Sequence, residues 1–212
     1  MLNSILHGHR NIKIISNGID FADIAQIEGN MEQNDIVYAG RLIREKCVDI
    51  LLEAISIVSN YRKNVKCVII GEGPEKNRLV RLAYDLGITN NVTFKDFIPD
   101  YKQLIAHIKT SRVLALPSLS EGFGIIAIEA NACGVPVVTS SQPSNAAKDL
   151  IHEGYNGFVY GVTAEELAKN LLSVLDTPKD KWISNCTDIA RQYDWDAIVC
   201  DLERYYNDLI AS

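Results

Sequence analysis

The hydrophobic pattern of this chain switches repeatedly between two periods. Ile36-Val37-Tyr38-Ala39 and the run 65–70 are short and continuously apolar, the form of strands covered on both faces. Between them Val48, Leu51, Leu52, Ile55 and Val58 repeat at i, i+3, i+4 and i+7, which predicts a helix burying one face. Leu79, Leu82, Ala83 and Leu86 predict a second helix, with Pro74 suited to its first turn and Gly87 to its C-terminal stop. The alternation continues as strand 91–95, helix 100–109, strand 112–116, helix 124–133, strand 135–139, helix 145–152 and a short strand over Gly157–Tyr160. Helices over 163–175, 178–191 and 196–210 complete the chain, the last one following Tyr193-Asp194-Trp195. At the other end, 1–11 show no periodicity, Ile12-Lys13-Ile14-Ile15 predicts a short strand running into the Asn17-Gly18 turn, and 22–34 reads as a polar loop.

Strands alternating with helices predict an α/β fold, a parallel sheet with helices on both faces. Its crossovers are expected to be right-handed, with ligands beyond the carboxyl ends of the strands. The chain has 212 residues, 47% of them hydrophobic, enough for one sizeable core and therefore one domain. A formal charge of −6 argues against a nucleic-acid partner, and the scattered acidic residues form no tail. Cys47, Cys67, Cys133, Cys186 and Cys200 are odd in number and far apart, and they read as free thiols of a reducing compartment. His7 and His9 lack further spaced ligands, so no metal is expected. No run of about 20 apolar residues occurs, and no charged-then-apolar N-terminal signal is visible. A soluble, cytoplasmic protein is the expectation.

Candidate chemistry gathers in the stretch 116–140, which joins a strand end, a turn with Gly122 and Gly124, a small-residue helix and another strand. Glycine there lets a ligand approach main-chain amides, and the first turn of a helix favours an anion such as phosphate. Glu121 and Glu129 bracket this unit. Carboxylates repel phosphate but accept strongly from hydroxyls, and phosphate plus hydroxyls describes a nucleotide sugar. The plainer alternative makes Glu121 a helix cap and Glu129 a solvated surface residue. Arg41 and Lys46 flank the loop after the first core strand, a bidentate fork and a point charge that can converge on one diphosphate or stand as two solvated loop cations. Gly71-Glu72-Gly73-Pro74 lacks the third glycine of a dinucleotide fingerprint and reads as a tight strand-to-helix turn. His107 falls on a helix face and reads as structural.

Glu121-Gly122-Phe123-Gly124 followed by Glu129-Ala130 resembles the E-G-F-G-(x)4-E-A signature of the family 4 (group 1) retaining glycosyltransferases of the GT-B fold. Ala132-Cys133-Gly134-Val135-Pro136-Val137-Val138, Asn17-Gly18-Ile19-Asp20, and Gly40-Arg41-Leu42 through Lys46 are similar to the same family. The resemblance covers residues 14 to 212 and implies a Rossmann-like C-terminal domain that binds a UDP-, GDP- or ADP-sugar as donor, without a cofactor or metal. It implies catalytic roles for Glu121, Arg41 and Lys46. It implies donor contacts for Gly40, Arg41, Lys46, Ile98, Glu121, Gly122, Phe123, Gly124, Ile125 and Glu129, with Ile98 against the base, Glu121 on the sugar hydroxyls and Glu129 on the ribose diol. Packing of Ile98 in the core is the competing reading.

The same resemblance implies boundaries: 1–13 as a linker remnant or tag-like segment, 14–192 as the nucleotide-sugar domain, and 193–212 as a helix crossing to an N-terminal acceptor-binding domain that is absent here. Its apolar face, Ile198, Leu202, Tyr205 and Leu209, is expected to be bare or to find another chain. The chain alone is expected to bind donor without turnover; peripheral membrane association is expected only through the absent domain, and the acceptor stays open. Departures fall at Cys47, Asp96, Asn145-Ala146 and Asp149, where the family often has Gly, Gly, Gly-Gly and Glu. The Cys47 change is expected to restrict positive φ. A nucleotide-sugar epimerase of the same fold and a non-catalytic binding subunit remain as alternatives, since fold does not fix function.

Overall fold

The computed structural model describes residues 13–211. Helix α1 (Phe21–Gln26) leads into strand β1 (Asn34–Ala39), a 3-10 turn (Arg44–Lys46), helix α2 (Val48–Tyr61) and strand β2 (Cys67–Ile70). Helix α3 (Lys76–Asp85), β3 (Val92–Lys95), α4 (Tyr101–Lys109), β4 (Ser111–Leu116), α5 (Ile125–Ala132) and β5 (Val137–Ser140) follow. A second 3-10 turn (Ala146–Leu150), β6 (Gly157–Tyr160), α6 (Ala164–Asp176), α7 (Lys179–Arg191) and α8 (Trp195–Ala211) complete it.

The six strands form one parallel sheet in the order β3-β2-β1-β4-β5-β6. Successive side chains of a strand point to opposite faces, and here both faces are apolar. Ile36, Tyr38, Ile69 and Val113 belong to one core, with Leu51, Leu52 and Ile55 of α2, Leu79 of α3 and Leu171 of α6. Val37, Val68, Ile70 and Leu114 belong to the other, with Ile105 and Ile108 of α4 and Ala127 and Ile128 of α5. The continuous apolar runs are explained by this two-sided cover.

Three expectations are corrected. Residues 13–15 are not in a strand, while Ile12 lies outside the described residues. Ile14 and Ile15 are exposed, and the ordered pairing falls later, where Ile19 bridges Asp194. Part of the supposed polar loop 22–34 is α1, whose start is capped by the Asp20 carboxylate accepting from the Asp23 amide at 2.8 Å. Lys109 Nζ donates to the Ala25 and Ile27 carbonyls at 2.9 and 2.6 Å, which satisfies the far end of so short a helix. The helix expected over 145–152 is only the 3-10 turn Ala146–Leu150.

The last helix also differs from expectation. Ile198 is buried and Leu202, Tyr205 and Leu209 are half-buried; residues 13–16 line a groove together with Ile198, and Lys13 donates to the Asp201 carbonyl and sits over the Tyr205 ring. Among the described residues no helix is long and apolar enough to cross a membrane.

Candidate functional site

The strand order reverses between β1 and β4, the position at which a doubly wound sheet opens a crevice at its carboxyl edge. The loop after β1 forms one wall. Buried Tyr38 donates from its phenol to the Arg41 carbonyl at 2.9 Å, and the Gly40 amide donates to the Ile70 carbonyl at 3.0 Å. A Cβ on Gly71 would stand 1.9 Å from the Gly40 carbonyl oxygen, so the Gly71-Glu72-Gly73 turn is a close main-chain packing partner of this loop. Gly71 and Glu72 also line the cleft.

The 3-10 turn Arg44–Lys46 ends at Cys47, whose φ of 47° and ψ of 41° are left-handed. Cys47 therefore takes the backbone conformation expected to be closed to it, held there by its buried position and by α2, which starts at the next residue. That turn carries Lys46 into the cleft, where its ammonium donates to Glu121 Oε1 at 2.6 Å; the Ser118 hydroxyl donates to the same oxygen at 2.6 Å. Both charged side chains are largely shielded, 15% and 14% exposed. Arg41 is exposed, and its guanidinium makes no hydrogen bond or ion pair with any described residue.

Facing this wall is the loop 121–124. Gly124 has a φ of 88° and opens α5, and a Cβ there would fall 2.6 Å from that of Ala147. The Glu121 amide donates to the Ser144 carbonyl at 3.1 Å and the Ala146 amide to the Glu121 carbonyl at 3.0 Å. Asn145 holds the supporting turn: its buried amide donates to Thr139 Oγ1 and the Ser140 carbonyl, each at 2.9 Å, and its Oδ1 accepts from the Ala147 amide at 3.1 Å. The side chain in place of glycine is thus a structural hub beneath the site. Phe123 meets Tyr193 edge to face at 6.0 Å.

The crevice has two compartments. An apolar one of about 420 Å³ is lined by Ile70, Phe97, Ile98, Leu104 and Ile126 among others. A polar one of about 540 Å³ is lined by Asn17, Lys46, Glu121, Gly122, Phe123, Gly124 and Ile125, among others. Ala39, Gly40, Arg41 and Ile126 line both. Ile98 also packs against the core, so it serves the core and the cleft together.

Glu129 lies one turn further along α5 and lines neither compartment. It accepts from the Tyr101 phenol at 3.0 Å. Burial pushes its carboxyl above the ordinary carboxylate range, and the bond from Tyr101 draws it part of the way back. Tyr101 was not singled out from sequence; its one signal is its place at the start of α4, directly after Ile98-Pro99-Asp100. Asp96 pairs with Lys76 near solvent, and Asp149 is exposed. His107 Nδ1 lies 2.6 Å from Asn30 Nδ2, and burial holds the imidazole pKa down, a structural placement. Cys47, Cys67, Cys133 and Cys186 are buried free thiols, and Cys200 is exposed and free. No group of three or more His, Cys, Asp and Glu among the described residues is placed to hold a metal ion; His7 and His9 lie outside those residues.

The doubly wound sheet and its central two-part crevice define a Rossmann-like domain of the GT-B type. The chain belongs to the glycosyl transferases of group 1, whose family model matches residues 20–192. It is 32% identical over 179 residues to an uncharacterized glycosyltransferase of Methanocaldococcus jannaschii, covering 82% of this chain and 45% of that protein. It is 31% identical over 193 residues to the D-inositol 3-phosphate glycosyltransferase of Mycolicibacterium smegmatis, covering 85% and 42%. The crystal structure of Anabaena HepE in complex with UDP and glucose matches with a TM-score of 0.73 and 28% identity, over 98% of this chain and 60% of that one. The chain spans less than half the length of these two curated relatives.

Proposed function

We propose that this chain is the donor half of a family 4 retaining hexosyltransferase. It binds a UDP-, GDP- or ADP-sugar in the crevice, and the hexosyl group passes to an acceptor glycan, lipid or small molecule held by a separate N-terminal domain. The observation that carries this reading is the placement of an unpartnered guanidinium, Arg41, on the wall shared by an apolar compartment and a polar one. A base fits the first, a diphosphate the shared wall, and a sugar the second.

In this reading Arg41, Lys46 and the first-turn amides of α5 stabilise the charge that develops on the departing diphosphate, an electrostatic contribution preorganised in a shielded cleft; no metal ion is assigned a role. Gly40, Gly122 and Gly124 bring main chain close to the phosphates, while Phe123 and Ile125 line the sugar end and Ile98 the base. Glu121, already anchored by Ser118, retains Oε2 to accept from the sugar hydroxyls, and Glu129 accepts from the ribose diol. Transfer on the same face requires an acceptor held against the donor, so the chain alone binds without transferring.

Calorimetric titration with UDP, GDP and ADP, each also as a sugar conjugate, tests the reading. Binding of one base, strengthened by its sugar, is expected. Absence of binding by all of them, repeated with the N-terminal domain supplied, would overturn it.

A further inference from the structure

We propose that Tyr101 is a positioning residue whose phenol holds the Glu129 carboxylate in the orientation that receives the ribose diol of the donor nucleotide. This rests on the donor reading and adds to it a residue outside both compartments. Three observations meet at this pair. Glu129 is a half-buried carboxylate with no cationic partner among the described residues, and its polar contact is the Tyr101 phenol at 3.0 Å. A partly buried charge without a counter-ion is unfavourable to folding, so its presence as the one charged residue of α5 points to a ligand.

Position supplies the second observation. Ile126, three residues before Glu129 on α5, lines both compartments. Helical side chains lean toward the N-terminus of their helix, so the carboxylate covers the surface beside that shared wall. A ribose joining base to diphosphate must pass there.

The third is the geometry of the donor. Tyr101 opens α4 three residues after the cleft residue Ile98, and Asp100 caps the helix there by accepting from the Lys102 amide at 2.9 Å. An ionised carboxylate only accepts, so the phenol must donate; it occupies Oε1 and leaves Oε2 for hydroxyls. Burial beside Glu129 raises the phenol's own pKa, which keeps it a donor. The other titratable groups acting on the pair are Asp20, ahead of α1, and Cys133, after α5. The Cys133 thiol is pushed up to about 12 by burial and stays neutral. Tyr101 as a whole residue is 45% exposed, more than a core-filling role would leave.

The test is calorimetry on the full chain with UDP, GDP and ADP, and then with the 2′,3′-dideoxy form of whichever binds. Wild-type protein is expected to prefer the intact diol by about tenfold or more, the scale of hydrogen bonds to a charged group. Tyr101→Phe is expected to lose about fivefold to tenfold for the intact nucleotide and nothing for the dideoxy form, and to melt somewhat earlier than the wild type at neutral pH, because the Glu129 carboxylate loses its polar contact. Its affinity is also expected to fall away at a higher pH on acidification than that of the wild type, because the bond favouring the charged carboxylate is gone. Equal losses for both nucleotides, or no loss, would overturn the positioning role while leaving the donor reading intact. Equal binding of both nucleotides by the wild type would remove the Glu129 ribose assignment, and the inference with it. Binding of neither, repeated with the N-terminal domain supplied, would bring down the donor reading and the inference together.

Discussion

Cys47 and the pair Lys46–Glu121 show how single residues shape the candidate site. Left-handed backbone disfavours any side chain by roughly 1–2 kcal/mol, and a β-branched one more, because branching restricts χ1. Cys47→Val is therefore expected to lower the melting temperature, measured by thermal denaturation, by the added strain of branching alone, and to weaken nucleoside-diphosphate binding by displacing Lys46. Arg41→Ala and Lys46→Ala are each expected to reduce diphosphate affinity by about 1.5–3 kcal/mol, the scale of charge-assisted hydrogen bonds. Their stabilities should diverge. Arg41 has no partner to lose, so its variant should melt like the wild type, whereas Lys46→Ala leaves the shielded Glu121 carboxylate with Ser118 alone and should melt earlier. Unchanged affinity in both variants would remove the diphosphate assignment.

The elements around the crevice are held by buried polar side chains as much as by apolar ones. Asn145 joins β5, the 3-10 turn Ala146–Leu150 and the bridge to Glu121. A second buried amide pair, Asn156 donating to Asn131 Oδ1 at 2.7 Å, ties the approach to β6 to α5. Asn145→Ala orphans several of these groups at once. A loss of about 1–3 kcal/mol for each group left unsatisfied should appear as a lower denaturant midpoint with little change in slope. Donor affinity should fall with it, because the turn that positions Ala147 against Gly124 loosens. A variant as stable as the wild type would show that Asn145 is not the hub its contacts describe.

At the scale of the whole molecule, function competes with folding at Glu129. Burial raises its folded-state pKa above 4.5, so between pH 4.5 and that raised value the folded chain binds more protons than the unfolded one, and stability falls as pH rises. Glu129→Gln has no such term. It is expected to match the wild type near pH 4 and to exceed it at neutral pH, measured by denaturant unfolding across pH, while losing preference for an intact ribose diol. A variant less stable than the wild type at pH 7 would contradict this trade. The chain ends also converge on the site: the Ile19 amide donates to the Tyr193 carbonyl and the Trp195 amide to the Ile19 carbonyl, at 2.8 and 3.0 Å. Asn17 thereby reaches the polar compartment, and Tyr193 backs Phe123.

The six core strands and most helices were legible in the order of residues, because strands covered on both faces must be continuously apolar and amphipathic helices must repeat at 3.6 residues. The left-handed turn at Gly124 and the close main-chain approach at Gly71 were legible too, since both conformations demand glycine. Local pattern failed where the deciding partner is distant. α1 depends on Lys109 for its last carbonyls, and 145–152 is only a short turn, whose capping Asn145 bonds to β5 through its amide. Residues 13–15 have no sheet neighbour despite their apolar character. Tertiary structure alone placed Lys46 on Glu121, gave Cys47 its left-handed backbone and set Tyr101 against Glu129. Those contacts join residues 75 and 28 positions apart in the first and last cases, a separation over which no periodicity carries information and only packing does.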